Sequence, residues 1–335
     1  MSKNHKIVSC AGFGGTGSSA ITDLLSEFEG FKGIGTFEFS LIHEVDGILD
    51  LKHFLIDDFH RLKSTEAIYR FEKLINNVES IYKPYLGDDF RTESYKYIDS
   101  IIDFKWKGFW HQHLYRDSKL KSKLKYKIPR KIQKEIQKLF NKNSKYEYSQ
   151  YYIKSDISYC IDKEKFLEET KKYINLLVNK LDRGNGYEYL VLDQLVAPYN
   201  IHNYSQFFDD LHVIIVDRDP RDLYLLNKLY WKEGWIPSHD VELFVKWFKS
   251  IRENKRDNSE NVKYIKLEDL IFDYEKTVKE ITEFLGIDPS QHKDKLKYFN
   301  PNRSLKNCRL WENEKAYRED IKYIYNNLLS YCIDK

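Results

Sequence analysis

The sequence predicts an α/β fold in three layers: a parallel β-sheet between helices, with helical insertions. Three observations carry this. A short β-rich run at residues 6–10 meets a glycine-rich turn and then a segment with apolar residues at helical spacing. Later β-branched runs alternate with helix-length segments, the pattern of parallel strands joined by crossovers. No internal repeat or long linker interrupts them, so residues 1–335 are expected to form a single domain.

Each element follows in order. The opening strand KIVSC gives way to a helix over residues 18–28, with Ile21, Leu24, Leu25 and Phe28 on one face. Residues 31–42 read as a second strand running into a loop. Residues 47–83 read as helices, and 95–115 as an aromatic helical stretch. Residues 116–150 form a basic, largely helical insertion. Between Arg116 and Lys145, 12 Lys/Arg face only Asp117 and Glu135, and Ile132, Ile136, Leu139 and Phe140 share a helical face. Such a segment reads as a solvated helical excursion, or as a docking surface for an anionic glycan or a membrane surface. A helix is expected over 163–181, strands over 189–192, 211–216 and 262–265, and helices over 241–254, 274–285 and 314–331. Gly286 and Pro289 mark a helix end.

Composition narrows the class. Hydrophobic residues make up 41% of the chain, enough for a core, and no apolar run approaches the ~18 residues of a membrane span. Cys10, Cys160, Cys308 and Cys332 form no CxxC pair, and the N-terminus has no signal-like apolar segment. The expected compartment is the cytoplasm, with thiols reduced and no metal. The net charge of +3 gives no reason to expect a nucleic-acid partner.

The chemistry begins at Gly12-Phe13-Gly14-Gly15-Thr16-Gly17-Ser18-Ser19, between the first strand and its helix. Glycines let backbone N–H groups turn toward one centre, and the helix start adds partial positive charge. Gly14, Gly15, Thr16, Gly17, Ser18 and Ser19 are therefore the candidate phosphate loop, and the sheet is expected to be of the P-loop type. The spacing is that of GxxxxGK[ST], except that Ser18 stands where a nucleotide kinase has its lysine. A small-molecule kinase using ATP is thereby the weaker alternative.

The second anchor is Arg218-Asp219-Pro220-Arg221-Asp222, directly after the strand LHVIIV. Its position sets Arg218 at the carboxyl edge of the sheet, where open α/β sheets bind ligands, and its guanidinium can fork onto a phosphate.

Together these motifs resemble the family of sulfotransferases that use 3'-phosphoadenosine 5'-phosphosulfate (PAPS), in particular its bacterial polysaccharide-type members. Thr16-Gly17-Ser18-Ser19 is similar to the SGTT part of the family's loop, and Arg218–Asp222 matches its RDPRD element. Further matches follow in order. They are Asp193-Gln194 with Asn200, Lys266-Leu267-Glu268-Asp269-Leu270 with Phe284-Leu285-Gly286-Ile287, and Ser304, Asn307 and Trp311. The resemblance spans residues 6–311. It implies sulfuryl transfer from PAPS to an acceptor hydroxyl, with 3',5'-ADP as product. The loop would take the 5'-phosphosulfate end and Arg218 the 3'-phosphate.

The chain also departs from the family. Gly15 replaces the loop's basic residue, and Leu226 replaces a serine eight residues after the arginine, with Asn227 beside it as a substitute. Arg303, Lys306 and Arg309 are candidates to supply the missing positive charge or to bind the 3'-phosphate. These departures also raise the alternative of an inactive relative that binds nucleotide or glycan. Glu38 and His43, after the second strand, are the candidate catalytic bases, Glu38 preferred; His111 and His113 are more distant candidates. A saccharide acceptor is expected, with Trp106, Trp110, Trp231 and Trp235 flanking its side.

Overall fold

The computed structural model describes residues 5–109, 113–140, 154–253 and 259–333. The chain divides into two compact units, Val45–Tyr173 and the remainder, Met1–Glu44 with Ile174–Lys335.

The larger unit is built on a five-stranded parallel sheet. The strands among the described residues are β1 (Lys6–Gly12), β2 (Phe31–Glu38), β3 (Phe104–Gly108), β4 (Ser155–Tyr159), β5 (Tyr189–Asp193), β6 (Leu211–Asp217) and β7 (Val262–Lys266). The parallel sheet has the order β2-β5-β1-β6-β7. All five residues of β5 are buried, as are six of seven in β1, which is why these strands read as continuous apolar runs. From β1 the chain builds toward β2 and β5 on one side, then toward β6 and β7 on the other. β1 thus sits at the point where strand order reverses, the place where such sheets form a ligand crevice.

Helices cover the sheet. Ile21, Leu24 and Leu25 of the helix Ser18–Leu25 pack with Val8, Val191, Ile214 and Val216, joined by Val278, Ile281 and Leu285 of the helix Tyr274–Leu285. Each such side chain contributes roughly 1.5–3 kcal/mol by leaving water. A second cluster joins Leu223, Tyr224 and Leu225 to Phe244 and Phe248 of the helix Val241–Arg252 and to Ile324 and Leu328.

A buried carboxylate fixes a later loop to this frame. Glu27 is 1% exposed and accepts from the backbone N–H groups of Leu296, Tyr298 and Phe299 at 2.8–3.0 Å, and from His292 Nε2 at 2.8 Å. It thereby anchors the stretch that leads into residues 300–309.

The smaller unit is mostly helical. The helices Lys63–Leu86 and Phe90–Ile101 pack with the start of the helix Lys163–Asp182, where the Tyr97 and Tyr173 rings stack at 4.3 Å. Here the expectation of helix through residues 95–115 is corrected. The helix stops at Ile101, and Phe104–Gly108 forms β3, antiparallel to β4. FKWKG alternates aromatic and basic residues, and Phe104 and Trp106 stack on Tyr159 across the ribbon at 5.2 and 5.4 Å. Trp110, His111 and residues 141–153 lie outside the described residues.

Candidate functional site

The parallel register brings the carboxyl ends of all five strands to one edge. Gly12 of β1 pairs with Val216 of β6, Cys10 with Asp193 of β5, and Glu38 of β2 with Asp193. The glycine loop, Glu38, Asp193, Arg218 and Glu268 therefore gather there from five separate segments.

The loop after β1 closes on itself, with Phe13 N–H donating to Thr16 Oγ1 at 3.1 Å. Gly14 and Gly15 take φ of +85° and +66°, the left-handed region that favours glycine. A Cβ on Gly14 would run into the Trp235 ring, and one on Gly15 would lie 2.8 Å from Trp231. At residue 15 the left-handed backbone disfavours a side chain, and one there would require the Trp231 ring to shift. No side chain caps the helix Ser18–Leu25. Among the described residues the N–H groups of Gly14, Gly15, Thr16 and Gly17 have no acceptor, so the loop presents donors suited to an anion.

Arg218 reaches this loop from β6. It is 4% exposed, and its Nη1 donates to the Gly15 carbonyl at 3.4 Å, while Nη2 donates to the Asn307 carbonyl. Its Nε–H is buried without a partner, and its guanidinium lies 5.7 Å from the Trp231 ring. The glycine turn, Arg218, Trp231 and Asn307 thus form one cluster from chain segments some 200 residues apart. Arg303 and Lys306 are exposed, on the turn that delivers Asn307. The Arg309 side chain packs on Phe272 at 4.3 Å and faces a cavity of about 340 Å³ lined also by Lys266, Glu268 and Asp273.

The turn around Arg218 is set by its neighbours. Asp219 caps the helix Pro220–Leu226 by accepting from Arg221 N–H, pairs with the Arg221 guanidinium at 2.6 Å, and accepts from Ile333 N–H. Glu268 accepts from Asp219 N–H at 2.9 Å. Asp222 accepts from the N–H groups of Arg309 and Leu310. Burial pushes the Asp222 carboxyl up to about 6 and the Glu268 carboxyl to about 7, and the Arg218 charge opposes both shifts. Asp222, Glu268 and Cys308 bring ligand-type atoms within 4.8 Å of one another. Arg218 supplies counter-charge to this set, and burial pushes the Cys308 thiol up to about 12.

The acceptor-side candidates divide. Glu38 is exposed at the end of β2. His43 Nε2 lies 2.7 Å from the Gln194 carbonyl, which only accepts, so the ring carries its proton there. His43 thereby holds the Gln194 turn, whose φ is +55°. Gln194 Nε2 in turn donates to Ser18 Oγ at 3.2 Å, while Ser19 is exposed.

The residue that sequence reasoning passed over as a catalytic candidate is Asp193. It is buried, its Oδ1 has no hydrogen-bond partner, and burial lifts its carboxyl to about 6; the Ser18 hydroxyl opposes the shift and the Glu38 charge adds to it. Only the resemblance to polysaccharide-type members had pointed at this position.

Asn227 is placed elsewhere than expected. Its amide nitrogen donates toward the Glu233 and Ile236 carbonyls and Ser238 Oγ, and its oxygen accepts from Glu233 N–H, so it staples the loop that carries Trp235. Trp231 and Trp235 cover the glycine loop, and Trp106 belongs to the β3–β4 ribbon.

Asp193 predicts a pH effect. A carboxyl raised in the fold is more stable protonated, so its contribution is full below the ordinary value of 3.8 and is lost as pH rises through about 6. Asp193→Asn should therefore be more stable than the parent at pH 7.5, by on the order of 1–2 kcal/mol. At pH 4 the two should be alike. Urea unfolding at both pH values checks this, and an equal difference at each would overturn it.

The whole is the carboxyl edge of an open parallel sheet, with unpaired loop N–H groups beside a buried arginine. No protein-family model and no curated protein matches the chain. Among solved structures it is similar to the sulfotransferase domain of the Synechococcus PCC 7002 olefin synthase, at 11% identity over 99% of this chain and 98% of that one, TM-score 0.42. It is also similar to the sulfotransferase domain from the curacin biosynthetic pathway, at 12% identity over 99% of each, TM-score 0.38. A third is sulfotransferase STF1 of Mycobacterium tuberculosis, at 11% identity over 91% of this chain and 76% of that one, TM-score 0.34. What this chain does is read from its own site.

Proposed function

We propose that this chain is a PAPS-dependent sulfotransferase acting on a hydroxyl of a saccharide. The observation that carries this reading is the meeting of Arg218 with the Gly15 carbonyl, in a phosphate loop that lacks the kinase lysine. Two anion-directed elements at one sheet edge suit a nucleotide with phosphate at both ends. The unpaired Arg218 Nε–H and the loop's unpaired N–H groups fit that donor.

PAPS supplies a sulfuryl group on a phosphate leaving group. In this reading Gly14, Gly15, Thr16, Gly17 and Ser19 hold its 5' end, and Arg218 holds the 3'-phosphate with help from Arg303, Lys306 or Arg309. Ser18 is turned toward Gln194 and orders the edge between donor and acceptor. Glu38 takes the proton of the acceptor hydroxyl as its oxygen bonds to sulfur and 3',5'-ADP leaves. His43 acts by positioning the Asp193-Gln194 turn. The half-exposed faces of Trp231 and Trp235 support a saccharide, which stacks on indole. The cytoplasm is the proposed compartment, because Cys10, Cys160, Cys308 and Cys332 form no CxxC pair and no disulfide.

The test compares ligands and then turnover. 3',5'-ADP should raise the melting temperature and ATP should not, and labelled sulfuryl should pass from PAPS to members of a glycan panel. Stabilisation by ATP alone would return the chain to the kinase reading. Binding of 3',5'-ADP without transfer to any acceptor would mark a non-catalytic relative.

A further inference from the structure

The basic insertion carries a feature that the site does not use. Residues 119–140 run as one helical stretch: Lys119–Ser122, a π-helical turn at Lys123–Lys127, and the helix Ile128–Phe140. The last of these buries no residue. Leu120, Leu124, Ile128, Ile132, Ile136 and Phe140 recur every four residues and are 69, 59, 40, 56, 49 and 81% exposed. At 100° per residue, Ile128, Ile132, Ile136, Leu139 and Phe140 fall within about 120° of the helix surface. Arg130, Lys131, Lys134 and Lys138 fall within about 100° on the other side. Over residues 119–140, nine Lys/Arg stand against Glu135 alone.

We propose that this stripe seats the protein on an anionic membrane surface, lying in the interface plane. A solvated helix has no reason to segregate its aliphatic residues, and an exposed apolar row of this length marks a contact surface. Aliphatic residues in a row flanked by lysine match the boundary between acyl chains and acidic headgroups. An anionic glycan would use the lysines and leave the isoleucines in water. A second copy of the chain would bring nine like charges against nine. No helix among the described residues is long and apolar enough to cross a membrane, so the contact is a surface one.

The test is co-sedimentation of the full chain with vesicles of phosphatidylcholine alone, or with about a third of the lipid replaced by phosphatidylserine. Binding to the anionic vesicles should be at least ~10-fold tighter and should weaken as salt is raised. Ile132→Ser with Ile136→Ser and Leu139→Ser should lose at least ~10-fold of it, with melting temperature and 3',5'-ADP binding unchanged. Lys131→Gln with Lys134→Gln and Lys138→Gln should lose a similar factor. Failure to bind anionic vesicles would overturn the proposal. So would heparin binding without vesicle binding that survives the serine substitutions, or concentration-dependent dimerisation that they abolish. None of these outcomes bears on donor binding or sulfuryl transfer.

Discussion

Arg218→Ala should weaken 3',5'-ADP binding by at least ~100-fold, close to 3 kcal/mol. The guanidinium stands between the Gly15 and Asn307 carbonyls with a buried Nε–H unspent. Charge-assisted hydrogen bonds from such a group are worth about 1.5–3 kcal/mol each. Arg218→Lys keeps the charge and loses the planar fork, so its affinity should fall between parent and alanine. Arg218→Ala also strips the counter-charge from buried Asp222 and Glu268, so this variant should melt earlier. Calorimetric titration below that melting point separates the two effects. An isotherm identical to the parent's would take Arg218 out of the donor site.

Glu38→Gln should lower kcat by ~10²–10⁴ and leave 3',5'-ADP affinity within about twofold. Glu38 is the exposed carboxylate at the end of β2, set opposite Asp193, and in the proposed reading it meets the acceptor while the nucleotide lies on the glycine loop. Glutamine keeps the shape and removes the proton acceptor. Turnover near the parent's in Glu38→Gln, with a collapse in Asp193→Asn, would transfer the role to Asp193. Asp193→Asn combines a stability gain at neutral pH with this functional test, the trade expected where a buried carboxyl is kept for work and not for the fold.

The parts of the site legible in the sequence were those with local signals. Glycines between a β-rich run and a helix-spaced segment announced the loop after β1, and Asp219-Pro220 after a β-branched run announced the turn at Arg218. Gly286 ended its helix at φ +63° as expected. What escaped depended on distant partners. β3 and β4 lie about 50 residues apart, and each is a ribbon edge only because the other exists. The alternation in FKWKG was the available sign, and the helical segment before it masked it. Asn227 looked like a ligand donor beside a missing serine, yet its amide meets a turn six to eleven residues later. Asp193 gave no local sign of an altered carboxyl, since its burial comes from β1, β2 and the helix start around it. The division of contacts at Val45 and Tyr173 likewise has no linker or composition change to mark it.

The π-helical turn Asn227–Trp231 follows the helix Pro220–Leu226 without a break, and such a turn houses one more residue than an α-helical one. Deleting a single residue here would let the backbone close into an ordinary helix, with the helix before the turn and Trp231 at its end kept in phase. Trp231 would then stay over Gly15, so the indole cover of the glycine loop tolerates the loss of one residue in this turn.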